Sequence, residues 1–159
     1  MLKTIRPDWY FIIAATLVGL AVFAVTAWDF TQVQQAGYRF QLVNLIGVGL
    51  MMIGLALRLA ARRALGRHFS YALRTLDEHK LIKHGVYKRV RHPAYTGDLL
   101  FWSGVTLLFS SWAGFLVTLL LIPCFIYRAK IEENMLSAKF GDEYRKYMKT
   151  TKRFVPYLY

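Results

Sequence analysis

LLFWSGVTLLFSSWAGFLVTLLLIPCFIY, from Leu99 to Tyr127, runs for 29 residues without a charge. A straight helix of that length would measure about 43 Å, against a hydrocarbon core of roughly 30 Å. Its middle reads Ser110-Ser111-Trp112-Ala113-Gly114, the small and polar composition of a turn. The spacing therefore predicts a helical hairpin across a membrane. Its first arm begins at Pro93, because proline suits the first helical turn. Its second arm runs past Tyr127 into the polar region, kinked at Pro123.

Two further apolar runs precede the hairpin. Trp9 to Trp28 is uncharged and bracketed by tryptophans, which favour the membrane interface. It is longer than the apolar core of a signal peptide, and Trp28-Asp29-Phe30 makes no clear small-residue cleavage site. Phe40 to Ala61 is interrupted only by Gln41, Asn44 and Arg58. Arg58 lies near the end of this run and can extend its stem toward the interface. Gly47, Gly49 and Gly54 sit inside it and read as close helix packing. A phosphate-binding glycine loop would have to follow a strand and open a helix, which these do not.

Charge tests the number of crossings. Lys3 and Arg6 precede the first run, nine basic residues lie between Arg62 and Arg91, and eight between Arg128 and Arg153. With four crossings these nineteen of 21 Lys and Arg residues share one side, which the positive-inside rule makes cytoplasmic. With three, the last eight would fall outside. The expectation is an all-α, multi-pass integral membrane protein with both termini cytoplasmic. Its four transmembrane helices lie near 9–28, 40–61, 93–109 and 113–133, and the last two form the hairpin.

Composition agrees. The chain has 159 residues, 56% hydrophobic and only 19% charged, with a formal charge of +12. That length allows one domain, taken as 1–159, with no internal repeat. A soluble basic nucleic-acid binder would be poorer in apolar runs, so no nucleic acid is expected as a partner. A soluble dinucleotide-binding enzyme needs roughly 100 residues or more of alternating strand and helix. The single cysteine, Cys124, excludes an intrachain disulfide or a multi-cysteine metal site.

The chemistry concentrates in two places. His79-Lys80-Leu81-Ile82-Lys83-His84-Gly85-Val86-Tyr87 is followed by Arg91-His92-Pro93-Ala94-Tyr95-Thr96-Gly97. A metal is not expected there, since the carboxylate partners are few and no cysteine is near. A helix opening at Pro93 would aim free N–H groups at a carboxylate or phosphate, with Arg91 nearby and Tyr87 and Tyr95 able to stack or flank a cation. The same residues also suit a basic aromatic collar on anionic headgroups. The second place is Arg128-Ala129-Lys130-Ile131-Glu132-Glu133. Arg128 and Glu132 share a helix face by their spacing. This acidic doublet at a span end, within a basic face, is where a cationic ligand could be met.

In order, the chain reads His-x-Leu-x-x-x-Gly-x-Tyr from His79, Arg-His-Pro-x-Tyr-x-Gly from Arg91, and Arg-x-x-x-Glu-Glu from Arg128. Then come Phe140-Gly141-x-Glu143-Tyr144-x-x-Tyr147 and Phe154-x-Pro156. This ordered set resembles the isoprenylcysteine carboxyl methyltransferase family, and more loosely the membrane phospholipid methyltransferases. The resemblance covers about Leu73 to Pro156. It implies a membrane enzyme using S-adenosyl-L-methionine, whose pocket is closed by the cytoplasmic loop (about 73–97) and a helical C-terminal tail (within about 128–156). Carried over, His79, Lys80, Leu81, Ile82, Tyr87, His92, Pro93, Ala94, Tyr95, Glu132 and Glu133 would bind the cofactor. Arg128 would bind the acceptor, and Arg128 and Glu132 would be the catalytic pair, with no metal. The acceptor implied is a lipophilic small molecule or lipidated substrate reached from the bilayer, most simply a prenylcysteine carboxylate, with a thiol, amine lipid or isoprenoid as other candidates. A carboxylate needs only orientation, whereas a thiol or amine would need a base, for which His79 or Glu132 is available. Two other classes remain open: an NADPH-dependent membrane sterol or enone reductase, which shares an Arg-His-Pro-x-Tyr-like element, and a non-enzymatic basic membrane adaptor.

Overall fold

The computed structural model describes residues 9–66 and 81–155. His79, Lys80 and Pro156 lie outside the described residues, as do Lys3, Arg6, Arg67 and Arg74. Six α-helices follow in order among the described residues: α1 (Trp9–Gln35), α2 (Leu42–Leu65), α3 (Pro93–Leu108), α4 (Trp112–Thr118), α5 (Leu121–Phe140) and α6 (Asp142–Thr150). A short 3-10 turn spans Gly85–Lys88. Among those residues the only extended pairing is a single parallel bridge between Val90 and Lys152.

The protein is all-helical and integral to the membrane. Three segments are long and apolar enough to cross a bilayer: Tyr10–Gln35, Leu42–Leu65 and Trp112–Phe140. Large apolar side chains such as Leu17, Phe23, Leu45 and Met52 stand exposed on α1 and α2, as lipid contact requires. α3 has 16 residues, which at ~1.5 Å per residue makes it about 24 Å long, shorter than a ~30 Å core.

α3 is held against α2 through four glycines. A β-carbon at Gly47 would stand 2.5 Å from the Leu108 nitrogen, and one at Gly54 would stand 2.5 Å from the Phe101 nitrogen. From the other side, a β-carbon at Gly97 would stand 2.8 Å from the Gly54 carbonyl oxygen, and one at Gly104 would meet Met51 and Gly47 backbone. Each helix carries its two glycines seven residues apart, so both fall on one face. Backbones this close gain dispersion contact that larger residues would prevent. Gly49, read from the sequence as part of this packing, faces open space instead, because it lies two residues round the helix from Gly47.

Polar groups finish the seam at both ends. Buried Asn44 of α2 donates to the carbonyls of Leu107 at 3.1 Å and Leu108 at 2.9 Å, and to Ser110 Oγ at 2.7 Å. These carbonyls lie in the last turn of α3, and that of Leu107 also accepts from the Ser110 N–H at 3.0 Å. At the other end Arg58 of α2 pairs with Asp98 of α3. The expected reach of Arg58 toward the interface is thus replaced by a partner that only tertiary packing provides.

The helix break in the long apolar run lies at 109–111, where Ser110 adopts φ 57° and Ser111 caps α4 by accepting from the Gly114 N–H at 2.9 Å. The second arm starts at Trp112, one residue before the expected 113. Ser111 Oγ also donates to Asp29 of α1 at 2.7 Å. α1 therefore continues to Gln35, past the predicted end near Trp28, because Asp29 and Phe30 are helical contact residues; Phe30 packs edge-on against Phe109 at 5.1 Å. The interruption between α4 and α5 falls at Leu119-Leu120, just before Pro123. Proline lacks the N–H for the carbonyl four residues back and its ring crowds that carbonyl, which explains the place of the break. α5 ends at Gly141, whose φ of 54° turns the chain directly into α6.

Gly54→Ala is expected to lower stability by about 1–3 kcal/mol through backbone overpacking. Gly49→Ala, in open space, should be neutral or stabilising by up to about 1 kcal/mol. Thermal unfolding of both variants in the same detergent checks the difference.

Candidate functional site

Proline at Pro93 starts α3, so His92 is its N-cap and stands at the helix entrance. The residues before it are tied to the tail. Arg91 N–H donates to the Lys152 carbonyl at 2.8 Å, His92 N–H to the Arg153 carbonyl at 3.0 Å, and Lys152 N–H to the Arg89 carbonyl at 3.1 Å. Thr96 Oγ1 donates to the Phe154 carbonyl at 2.8 Å, and the buried Tyr147 hydroxyl donates to the Tyr87 carbonyl at 2.6 Å. Loop and tail thus form one ordered layer against the ends of α3 and α5.

Glu133 is the centre of that layer. Its buried carboxylate receives Arg91 Nε at 2.8 Å, Arg153 Nη2 at 2.6 Å and His92 Nε2 at 3.3 Å. Arg91 in turn donates to the Met148 carbonyl at 3.0 Å and to the Thr151 carbonyl. One carboxylate therefore binds cations from the loop and the tail.

Glu132 lies beside it and faces a different set. Its Oε1 accepts from the Tyr95 hydroxyl at 2.6 Å and lies 3.5 Å from Arg128 Nε; its Oε2 is 3.2 Å from His92 Nδ1. Arg128 Nε also donates to the Tyr95 oxygen at 2.8 Å. Arg128 is only 4% exposed, so the Arg128–Glu132 pair is a buried one, not a solvated surface pair. The Glu132 side chain keeps 26% of its surface accessible. Above it the His92, Tyr95 and Phe125 rings form a ladder: His92 and Tyr95 are stacked at 5.6 Å and 9°, and Tyr95 and Phe125 at 5.1 Å and 9°. The Phe11 ring of α1 covers the Arg128 guanidinium at 4.4 Å, a cation–π distance.

His92 has an acidic oxygen near each ring nitrogen. Only the imidazolium has a proton to give to both. Burial alone would lower its pKa, but hydrogen bonds to Glu132 and Glu133 outweigh that, and the net shift is upward. Burial, with a smaller contribution from Glu132, pushes the Tyr87 hydroxyl up, and burial raises Tyr147 to about 12. Both phenols stay protonated donors at neutral pH.

Of the residues singled out from the sequence, His92, Tyr95, Arg128, Glu132 and Glu133 come together directly. Tyr87 is buried behind them, and Pro93 and Ala94 belong to the same helix entrance. Leu81 and Ile82 are half-buried in the coil before the 3-10 turn, with no polar contact to this group. His79 and Lys80 lie outside the described residues. No group of three His, Cys, Asp or Glu side chains placed to hold a metal ion occurs among the described residues. Sequence reasoning passed over Arg153, Phe125 and Phe11. Phe125 could have been found, since it precedes Arg128 by three positions and shares its helix face. Nothing local marks Phe11, more than a hundred residues away in the chain.

Glu133→Gln is expected to cost about 3–5 kcal/mol, because Arg91 and Arg153 would lose a buried counter-charge and His92 one of its two acidic partners. Thermal unfolding, together with earlier proteolytic release of the tail, measures it. The raised His92 pKa has a definite sign: its contribution is complete below about pH 6.5, the unfolded value, and is lost as pH rises through the folded value. The thermal midpoint should fall with increasing pH over that window, and His92→Asn should flatten the slope.

The pattern of the Phospholipid methyltransferase family matches residues 42–143, from α2 into α6, leaving α1 outside. The chain is 34% identical over 119 residues to a probable protein-S-isoprenylcysteine O-methyltransferase of Oryza sativa subsp. indica, a match covering 73% of this chain and 62% of the relative. It is 31% identical to the protein-S-isoprenylcysteine O-methyltransferase of Schizosaccharomyces pombe, covering 74% and 51%, and 33% identical to that of Mus musculus, covering 74% and 44%. This chain thus spans about half the length of these curated relatives. A solved structure of the eukaryotic intramembrane Ras methyltransferase, isoprenylcysteine carboxyl methyltransferase, superposes with a TM-score of 0.70 and 25% identity, over 96% of this chain and 54% of that one. A motif order, a helical membrane fold and a matched segment of well over half the chain converge: the protein belongs to the phospholipid methyltransferase family, on the side of the isoprenylcysteine carboxyl methyltransferases.

Proposed function

We propose that this protein transfers a methyl group from S-adenosyl-L-methionine to the carboxylate of a prenylcysteine-type acceptor at the cytoplasmic membrane face. The observation that carries the reading is Glu132, a partly accessible carboxylate beneath the His92–Tyr95–Phe125 ladder and beside Arg128. A carboxylate beside flat π faces fits a ligand that is cationic and carries a heteroaromatic ring. S-adenosyl-L-methionine has both features. A phosphate-rich dinucleotide would instead meet negative charge there, which disfavours the reductase alternative.

Glu132, the rings of Tyr87, His92 and Tyr95, and the α3 entrance at Pro93 and Ala94 would hold the cofactor, with Glu133 fixing His92 beside them. Leu81 and Ile82, with His79 and Lys80, would wall its outer side. When bound, S-adenosyl-L-methionine supplies an electrophilic methyl group. Glu132 balances the ligand's positive charge, and Tyr95 and His92 hold that carboxylate in one orientation through their hydrogen bonds. Arg128 orients the acceptor carboxylate by charge-assisted hydrogen bonding. An ionised carboxylate is already nucleophilic and its ester is neutral, so no proton has to be removed and no residue acts as base. Burial of Arg128 and Glu133 keeps bulk water from the reacting centre, and alignment itself supplies several kcal/mol.

In this reading α3 is a fourth crossing and forms a hairpin with the Trp112–Phe140 segment. Its close packing along α2 supports this. Arg62 and Arg63 end α2, Lys83 to Arg91 precede α3, Lys139 ends the last span and Arg145 to Lys152 follow it, so one topology gathers them on the cytoplasmic side and brings both termini there. The acceptor would enter laterally from the bilayer.

Purified protein should bind S-adenosylhomocysteine in calorimetry, fail to bind NADPH, and methylate a prenylcysteine analogue; NADPH binding alone would overturn the reading. Glu132→Gln should weaken S-adenosylhomocysteine binding by about tenfold or more, the loss of a charge-assisted contact of roughly 1.5–3 kcal/mol. Arg128→Lys should lower kcat/KM for the acceptor by a similar factor while leaving S-adenosylhomocysteine affinity nearly unchanged.

A further inference from the structure

Between the loop and the tail, a cavity of about 310 Å³ is lined by Lys83, Lys88, Glu143, Lys146, Tyr147 and Thr150. Its wall joins the segment leading into the 3-10 turn to one face of α6. Three ammonium groups share this small space with one carboxylate. Glu143 Oε1 pairs with Lys83 Nζ at 2.6 Å. Lys88 and Lys146 make no ion pair among the described residues, and both are exposed. The remaining polar groups are committed: Tyr147 Oη donates to the Tyr87 carbonyl, and Thr150 Oγ1 donates to the Tyr147 carbonyl at 3.0 Å. The cavity therefore has surplus positive charge and no further acidic lining residue. Like charges held around one cavity are relieved by a counter-anion.

We infer that this cavity is a binding site for a phosphate group, supplied by the headgroup of an anionic phospholipid. Position favours the lipid source. Lys83 and Lys88 lie just before Pro93, where α3 begins, and α6 follows α5 across the single residue Gly141. The site thus stands at the basic end of the helices, where anionic headgroups concentrate and each cation near the surface adds about 1 kcal/mol of attraction. A phosphate bridging Lys88 and Lys146 would tie the turn carrying Tyr87 to α6 and brace the layer that backs the cofactor site. That consequence rests on the methyltransferase reading; the site itself does not.

The test is amine-reactive labelling of the full chain with peptide mass spectrometry. It compares nanodiscs of phosphatidylcholine with nanodiscs also containing phosphatidic acid, and a third sample of phosphatidylcholine nanodiscs with inorganic phosphate. Phosphatidic acid should slow labelling of Lys88 and Lys146 about threefold at a ligand level of twice Kd, relative to Lys149 and Lys152, which are exposed nearby but outside the cavity. Protection by inorganic phosphate to the same extent would keep the phosphate site but overturn its lipid source. Equal slowing of all four lysines, or none, would overturn the site. The double variant Lys88→Gln/Lys146→Gln should lose retained phosphatidic acid in native mass spectra with an unchanged thermal midpoint. If that variant is unstable, labelling of the unsubstituted protein decides alone. Labelling does not involve the cofactor, so failure of this inference is separate from failure to bind S-adenosylhomocysteine.

Discussion

A carboxylate buried within a helix must find positive charge, and Glu133 of α5 finds it in three residues from two other segments. Much of the functional end follows from this requirement. Arg91 and His92 come from the residues that open α3, and Arg153 comes from the tail, so neutralising one charge brings loop, helix and tail to one place. The backbone pairing of Arg89, Arg91 and His92 with Lys152 and Arg153 then keeps the register. Such a pair adds little net stability over an apolar replacement, but losing one partner is costly. Its value here is positional: it orients His92, which in turn contacts Glu132.

That arrangement also separates two adjacent acids into two roles. Glu133 is enclosed by cations and acts on the architecture. Glu132, one position earlier, points to Tyr95, Arg128 and His92 and retains accessible surface. The 100° step between neighbouring helical residues is enough to send them to different environments. A doublet in the sequence is therefore one structural clamp and one group that can meet a ligand.

The glycine seam between α2 and α3 performs the complementary task along the membrane-spanning helix α2. In lipid there is little hydrophobic drive for helices to associate, so close packing and a few polar contacts must do it. Gly47, Gly54, Gly97 and Gly104 permit the approach, Asn44 closes one end, and Arg58 with Asp98 closes the other. This fixes the position of α3 and hence of His92 and Tyr95 at its entrance. Gly97 thus has a packing role although the sequence presents it as the end of the Arg-His-Pro-x-Tyr-x-Gly pattern.

The sequence by itself determined the helical class, the membrane setting, the break in the long apolar run and the gathering of His92, Tyr95, Arg128 and Glu132. These depend on local composition, helical spacing and an ordered motif set, all of which are one-dimensional. It also placed proline at the start of α3 and just after the α4–α5 interruption. Only the tertiary structure decided which glycines touch, that Arg58 pairs with Asp98, that Glu133 is enclosed by Arg91 and Arg153, and that Phe11 covers Arg128. These are contacts between segments distant in the chain. Their partners are selected by helix rotation and by the need to neutralise or hydrogen-bond every buried charge, conditions that no single stretch of sequence contains.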